Sequence, residues 1–523
     1  MRGVAELQSW LRKRVCATGT VAALVAVSCS VTAMAATEDF DLWIRGGTVV
    51  DGSGRDGYRA DVLVRGDTIV RIDPGGSSAV EAKRVVDATG KWVTPGFIDT
   101  HSHGDPLTQS FGNFLAQGIT TVVLGQDGFS AEAWLRAHPG SDLGDWMQAV
   151  ERHGSEVNIA TLTGHNSLRN LTQTGNVEVP TQAQLDAMLD LLDAELAAGS
   201  FGLSFGLEYP PGWHSLPAEQ KALGDRVGQR GGIVMSHMRT EDAGSILQAV
   251  DELLQIDAHV HVSHLKIVAG KDPAEAQAVM DRLRAARAAG RRATGDVYPY
   301  LASASSLVFL YPDWAKTPEQ YEQAVQHRRA ELEAHIRRRV ESRNGPSAIL
   351  FTSGPHAGKR LSEVAQAADM PYERALIDVI GYRGPAQAHF LMDEAVFQVF
   401  LHDDHVNLGT DGAPGASHPR SAGSFVKLLE AYTGAPPKLS LAQAVHKMSG
   451  LSAQTMGLSD RGLITEGRKA DLLVIDPTRL DSRATYAEPS LRPVGIDYAV
   501  VNGEVQLAEG APTDRRAGRV LRK

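Results

Sequence analysis

Thr94-Pro-Gly-Phe-Ile-Asp-Thr-His-Ser-His103 carries more structural information than any other stretch of this chain. Its first half is apolar enough for a strand buried on both faces, as in a parallel sheet. Its end sets His101 and His103 two residues apart. Side chains at i and i+2 of a strand point to the same side, so both imidazoles can face one ion. Alone, such a pair is a modest signal.

Seven further segments read as strands, over residues 118–128, 157–165, 201–208, 232–239, 259–267, 292–300 and 406–412. Amphipathic helical stretches lie between them. One spans 181–198, with Thr181 placed to cap its start and Gly199 just past its end. Another follows Ser440. Eight strands alternating with helices predict an α/β fold, a (β/α)₈ TIM barrel. His101, Asp127, His165, Glu208, His237, His264, Tyr298 and Asp411 all fall at or near the C-terminal ends of their strands. Active sites of such barrels are built at that face, whereas random placement would scatter polar residues to both.

The flanks differ in texture. Residues 42–87 and 468–510 are short alternating strands and turns, and they predict one small β-sandwich domain formed by both chain ends. The expected organisation is 36–94 with 460–523 for that domain and 95–459 for the barrel. A charged helix over 320–342 breaks the barrel rhythm, which makes 313–360 a candidate insertion or lid.

At the start of the chain, Arg12-Lys13-Arg14 precedes an apolar, small-residue run that ends in Ala33-Met34-Ala35. This is the pattern of a secretory signal peptide over 1–35, cleaved after Ala35, for a secreted or periplasmic protein without a stable membrane anchor. A retained anchor, or lipidation at Cys29, is the alternative. Cys16 and Cys29 are the only cysteines, so the mature chain would have no disulfide, thiolate ligand or thiol nucleophile. With a net charge of −10 over 523 residues, the chain is large enough for a sizeable core and too acidic for a nucleic-acid partner.

The histidine pair gains weight from three more residues. His237 and His264 each end an apolar strand after a serine, and Asp411 ends the eighth strand between Thr410 and Gly412. Buried imidazoles need partners, and a divalent metal satisfies several at once. Histidines on strands one, five and six with an aspartate on strand eight form a far more specific pattern than any member alone.

Pro95-Gly-Phe-Ile-Asp-Thr-His-Ser-His103 resembles the opening motif of the amidohydrolase superfamily. More narrowly, the chain resembles the N-acyl-D-amino-acid deacylases, or D-aminoacylases. The matching segments include Gly164-His-Asn-Ser-Leu-Arg169, Gly202-Leu-Ser-Phe-Gly-Leu-Glu-Tyr-Pro-Pro-Gly212, Ser236-His-Met-Arg-Thr-Glu241, Ser263-His-Leu-Lys266, Asp296-Val-Tyr-Pro-Tyr300, His418-Pro-Arg420 and Asp460-Arg-Gly462. The resemblance implies a divalent metal centre, expected to be zinc in one or two ions, on His101, His103, His237, His264 and Asp411. In the family's motif a cysteine follows strand two. Here that segment reads Gly125-Gln-Asp-Gly128, so by position Asp127 replaces the thiolate ligand, or else merely caps a turn. A carboxylate is harder than a thiolate and can bridge two ions, which leaves metal identity and number open.

The resemblance also implies the chemistry. A water activated by the metal attacks the amide carbonyl, and Asp411 passes its proton to the leaving nitrogen. Lys266, Tyr298 and Arg420 are the expected holders of the substrate's α-carboxylate. The expected substrate is a small N-acyl-D-amino acid or D-terminal dipeptide. A dipeptidase or cyclic amidase of the same superfamily, or an inactive binding protein on the same scaffold, is the alternative. His165, Arg169 and Glu208 have no assigned role at this level.

Overall fold

Continuous apolar runs become parallel strands wherever both faces are covered. The computed structural model describes residues 39–76, 80–434 and 438–523; the expected export segment lies outside them. Among the described residues the barrel strands are Phe97–Asp99, Ile119–Leu124, Asn158–Thr161 continued by Thr163–Gly164, Gly202–Gly206, Ile233–His237, His259–Val262, Ala293–Val297 and Val406–Leu408. Neighbours in this order pair in parallel. The third strand breaks at Leu162, whose N–H donates to Leu124 O at 2.9 Å. The ring closes between strands eight and one, where Asp411 N donates to His101 O at 2.9 Å and His103 N to Gly412 O at 2.8 Å. The backbone of the histidine motif is thus itself the closing seam.

Strand alternation sorts the core. Ile98, Val123, Ala160, Leu162, Ile233 and Met235 pack together in one cluster, closed off by Ala453 and Met456. Phe97, Val122, Leu124, Ile159 and Val234 belong to another, shared with the surrounding helices. Each such buried aliphatic or aromatic side chain contributes roughly 1.5–3 kcal/mol. The expected helix caps are present. Thr181 and Gln184 form a capping box on Gln182–Ala198, which ends in the left-handed Gly199, and Ser440 caps Leu441–Met448 with Gln443.

The two chain ends meet in one nine-stranded sheet. Trp92–Pro95 from the N-terminal end pairs antiparallel with Leu472–Ile475 from the C-terminal end. Leu42, Ile44, Val62, Val64, Val93, Leu472, Val474 and Val500 form its core. Only Gly96 separates this sheet from the first barrel strand. A Cβ there would stand 2.1 Å from Thr120 Oγ1, so the Pro-Gly step is required by close approach.

Between strands seven and eight the chain leaves the barrel for longer than the sequence suggested. Ser303–Ser305, Ile349–Phe351 and Gln387–His389 make a three-stranded antiparallel sheet. Their helices add a core of their own, including Leu307, Tyr311, Leu332, Ile336, Phe351 and Leu376. The insertion therefore runs well beyond 313–360 on both sides. Its expected single helix is two, Pro318–His327 and Arg329–Glu341, broken where Arg328 adopts φ −134°.

Candidate metal centre

Six polar side chains converge where the strands end. His101 Nε2 lies 3.4 Å from Asp127 Oδ1 and 3.8 Å from Asp411 Oδ1. His103 Nε2 lies 3.6 Å from Asp127 Oδ2 and 3.3 Å from Asp411 Oδ1. His264 Nε2 is 3.5 Å from Asp127 Oδ1 and 3.0 Å from His237 Nδ1. One ligand atom from each of His101, Asp127, His264 and Asp411 can be chosen so that all lie within 4.8 Å of one another. Ligands at about 2.0–2.1 Å from a tetrahedral ion stand roughly 3.4 Å apart, so these separations suit one shared cation. Neither ring nitrogen of fully buried His101 has a hydrogen-bond partner, nor does Asp127 Oδ1. Orphaned donors and acceptors of this kind are costly unless a metal satisfies them. The residues present therefore fit a divalent ion.

The backbone is unusual at the same points. Asp127 (φ 51°), His264 (φ 37°) and Asp411 (φ 49°) all occupy the left-handed region. Such strain costs about 1–3 kcal/mol per residue and clusters at functional sites. Burial opposes the charged form of Asp127, yet His101 and His264 outweigh it and hold the carboxyl well below the usual range. Asp127 is thus an anion beside the imidazoles, as a ligand must be.

Two acids that sequence reasoning left without a role orient the imidazoles. Asp296, on strand seven, accepts from His264 N at 2.8 Å and from His261 Nε2 at 2.8 Å, and its Oδ2 lies 3.5 Å from His101 Nδ1. Glu241 Oε1 lies 3.0 Å from His264 Nδ1. Lys266 Nζ lies 2.9 Å from the same nitrogen, so Nδ1 is held from outside the cluster and Nε2 faces into it, as where an outer carboxylate orients a histidine at a metal site. Asp99 accepts from Thr410 N at 2.9 Å and Thr410 Oγ1 at 2.6 Å, tying strand one to strand eight just below. An acid inside an apolar run was the available signal for Asp99 and Asp296.

The three expected carboxylate holders are brought close, but none is a free rim charge. Arg420 Nη1 donates to Asp411 Oδ2 at 2.6 Å, and its guanidinium stacks 4.9 Å from the Tyr298 ring centre. Lys266 Nζ donates to Glu241 Oε1 at 2.6 Å; burial opposes its charge, but Glu241 carries the pKa up to about 12. Lys266 and Arg420 line one cavity with Glu208, Tyr209, His237 and Asp411. Glu208, unassigned from sequence, accepts from His237 Nε2 at 3.1 Å.

His165 and Arg169 stand apart from the cluster. Arg169 Nη1 donates to Glu219 Oε1 and Oε2 at 2.7 and 2.6 Å, and His165 Nε2 meets Oε1 at 2.7 Å. Arg169 also holds the following loop through Gly175 O at 2.9 Å. All three side chains are buried. Arg169→Met should therefore leave Glu219 without its cation and lower stability by about 3–5 kcal/mol, read as a shift in urea unfolding.

Residues 359–506 match the family model described as "Amidohydrolase family". An N-acyl-D-glutamate deacylase of Alcaligenes xylosoxydans xylosoxydans is 33% identical over 93% of this chain and 97% of its own length. The chain belongs to the N-acyl-D-amino-acid deacylase family. A D-aminoacylase of the same organism is 32% identical, over 93% of this chain and 98% of the relative. The solved N-acyl-D-glutamate deacylase of Bordetella bronchiseptica, described as complexed with zinc and a phosphonate inhibitor, superposes with TM-score 0.79 at 32% identity. It covers 93% of this chain and is itself covered completely. As a member of this deacylase family, the protein is a metal-dependent hydrolase of amide bonds.

Proposed function

We propose that the protein hydrolyses N-acyl-D-amino acids, with His101, His103, Asp127, His237, His264 and Asp411 around zinc. The observation that carries this reading is a single cavity in which Arg420 and Lys266 stand beside His237, His264 and Asp411. Each spends one bond on a carboxylate, Arg420 on Asp411 and Lys266 on Glu241, but their remaining N–H groups suit a substrate with a free carboxylate next to the bond that is cut. The D configuration and the zinc rest on the relatives. A divalent ion held by these residues would supply a Lewis acid for the carbonyl and lower the pKa of water.

The remaining work falls to the chain. Asp411 Oδ1 faces His101 and His103, while Oδ2 is held by Arg420. Placed so, Oδ1 takes a proton from the attacking water and returns it to the nitrogen, which must leave as an amine. Arg420 has N–H groups to spare beyond the one given to Asp411 and can also grip a carboxylate. Lys266 and the Tyr298 hydroxyl flank it. We also propose export with cleavage after Ala35, on the strength of the leader pattern alone.

The test is a panel of N-acyl amino acids in both enantiomers, with D-terminal dipeptides, assayed on protein of measured metal content. Hydrolysis of D-substrates is expected; turnover of none of them sinks the reading. Arg420→Ala should raise KM for N-acyl-amino acids at least about tenfold, the scale of a lost charge-assisted bond. Because Arg420 also holds Asp411, kcat should fall too, and neutral amide analogues should show only that second loss. Equal losses for both substrate types would remove Arg420 from the carboxylate.

A further inference from the structure

Among the described residues, the cluster is reached by a second cavity besides the one above, built from different loops. The one that holds Lys266 and Arg420 draws on segments after strands four to eight and is lined by Glu208, Glu241 and Asp411 as well. The other is a cleft of about 540 Å³ made by the segments after strands one and two together with helix Leu143–His153. His103 lines it, and His103 is the most open imidazole of the cluster, with 32% of its side chain exposed against 0% for His101. Beyond His103 the wall is mostly apolar, with Phe129, Ala131, Ala133, Trp134 and Trp146 interspersed with Ser130 and Thr161. Phe129 keeps 43% of its surface in solvent, an exposure a large aromatic ring gains nothing from unless something covers it. Of the charged residues of that wall, Glu132 and Arg136 are paired with each other at 2.7 Å, and Asp105, beside His103 at the mouth, accepts from Leu107 N at 3.0 Å.

An amide has two halves. If the carboxylate half occupies the cavity of Lys266 and Arg420, as in the function proposed above on which this inference rests, the acyl half lies on the other side of the cluster. We propose that the cleft beside His103 is the acyl subsite, and that it selects a bulky apolar acyl group, medium-chain aliphatic or arylacetyl, over acetyl. A water takes up roughly 30 Å³ of liquid. The methyl of an acetyl group, little larger, would leave a cleft of about 540 Å³ almost empty. A longer chain covers Phe129 and the two indoles. Each methylene that enters strengthens binding by about two- to fourfold, the range set by partial to full removal from water.

The experiment uses metal-loaded protein and measures the affinity of acetate, hexanoate, octanoate and phenylacetate by calorimetry and by tryptophan fluorescence. Alongside, kcat/KM is compared for N-acetyl and N-octanoyl forms of one D-amino acid. Octanoate is expected to bind at least about tenfold more tightly than acetate, to perturb Trp134 and Trp146 emission, and to be matched by a higher kcat/KM for the octanoyl substrate. Phe129→Ser removes a wall and Ala133→Glu, at an exposed helix position, inserts a charge; each should move the octanoyl-to-acetyl ratio toward one. Affinity independent of chain length, or a ratio unmoved by both variants, overturns the proposal. Hydrolysis of the N-acetyl substrate with no chain-length effect would overturn the cleft assignment alone. Tight octanoate binding with no hydrolysis of any N-acyl amino acid would overturn the functional reading and leave the cleft's preference standing.

Discussion

Asp411→Asn should lower turnover by at least ~10²-fold, the usual scale for general acid–base work, with bound metal retained better than activity. The substitution keeps the side chain's shape and an oxygen toward His101 and His103, but removes the base. Asp411 is held in place from two directions, by His103 Nε2 at 3.3 Å and Arg420 Nη1 at 2.6 Å. Burial opposes its charge, and Arg420 and the histidines overcome that and hold the carboxyl far below its ordinary range. The amide of Asn cannot accept a proton at any working pH. Steady-state kinetics beside elemental analysis is the check, and near-normal turnover would take the proton shuttle away from Asp411.

Asp127→Ala should lose metal and activity together. Asp127 Oδ1 is buried without a hydrogen bond, and one or other of its oxygens lies within 3.6 Å of His101, His103 and His264. A carboxylate so placed has no structural use except to meet a cation. Alanine at φ 51° adds backbone strain of its own, so Asp127→Asn is the necessary companion, since asparagine tolerates that region. It should lose metal affinity with little loss of fold. Asp127→Cys should recover part of both metal and activity, with zinc favoured more strongly over harder ions. Wild-type metal content and affinity in the Ala and Asn variants would reduce Asp127 to a turn residue.

The barrel was legible because strands covered on both sides leave continuous apolar runs, and all eight fall inside the segments read from sequence. The histidines were legible because His101, His103, His237 and His264 end such runs, where few structural uses compete. What sequence hid is mostly relational. Nothing along the chain says that Glu241, after strand five, meets His264 at the end of strand six, or that Arg420, nine residues past Asp411 on the next helix, turns back to spend a hydrogen bond on it. The insertion was underestimated because its strands, such as Ser303–Ser305 and Gln387–His389, are three residues long, too short to show a period. The helix break at Arg328 carries no Gly or Pro to announce it. His165 and Arg169 matched a family motif with no role beyond shaping the loop, and their carboxylate partner Glu219 makes them a buried brace.

The seam between strands one and eight has a bearing on how the molecule is made. Asp99 and Thr410, hydrogen-bonded across it, are 311 positions apart. Contacts of that separation form late, because the loop they close must first be paid for in chain entropy. A growing chain that has not yet delivered Asp411 therefore carries a sheet with two open edges and lacks the last of its six ligands. His101 and His103 enter near the beginning of the barrel and Asp411 at its end, so an ion held by all of them can bind tightly only to a completed ring. Metal binding and ring closure are thus thermodynamically linked, because the ion and the seam draw on the same two ends of the barrel.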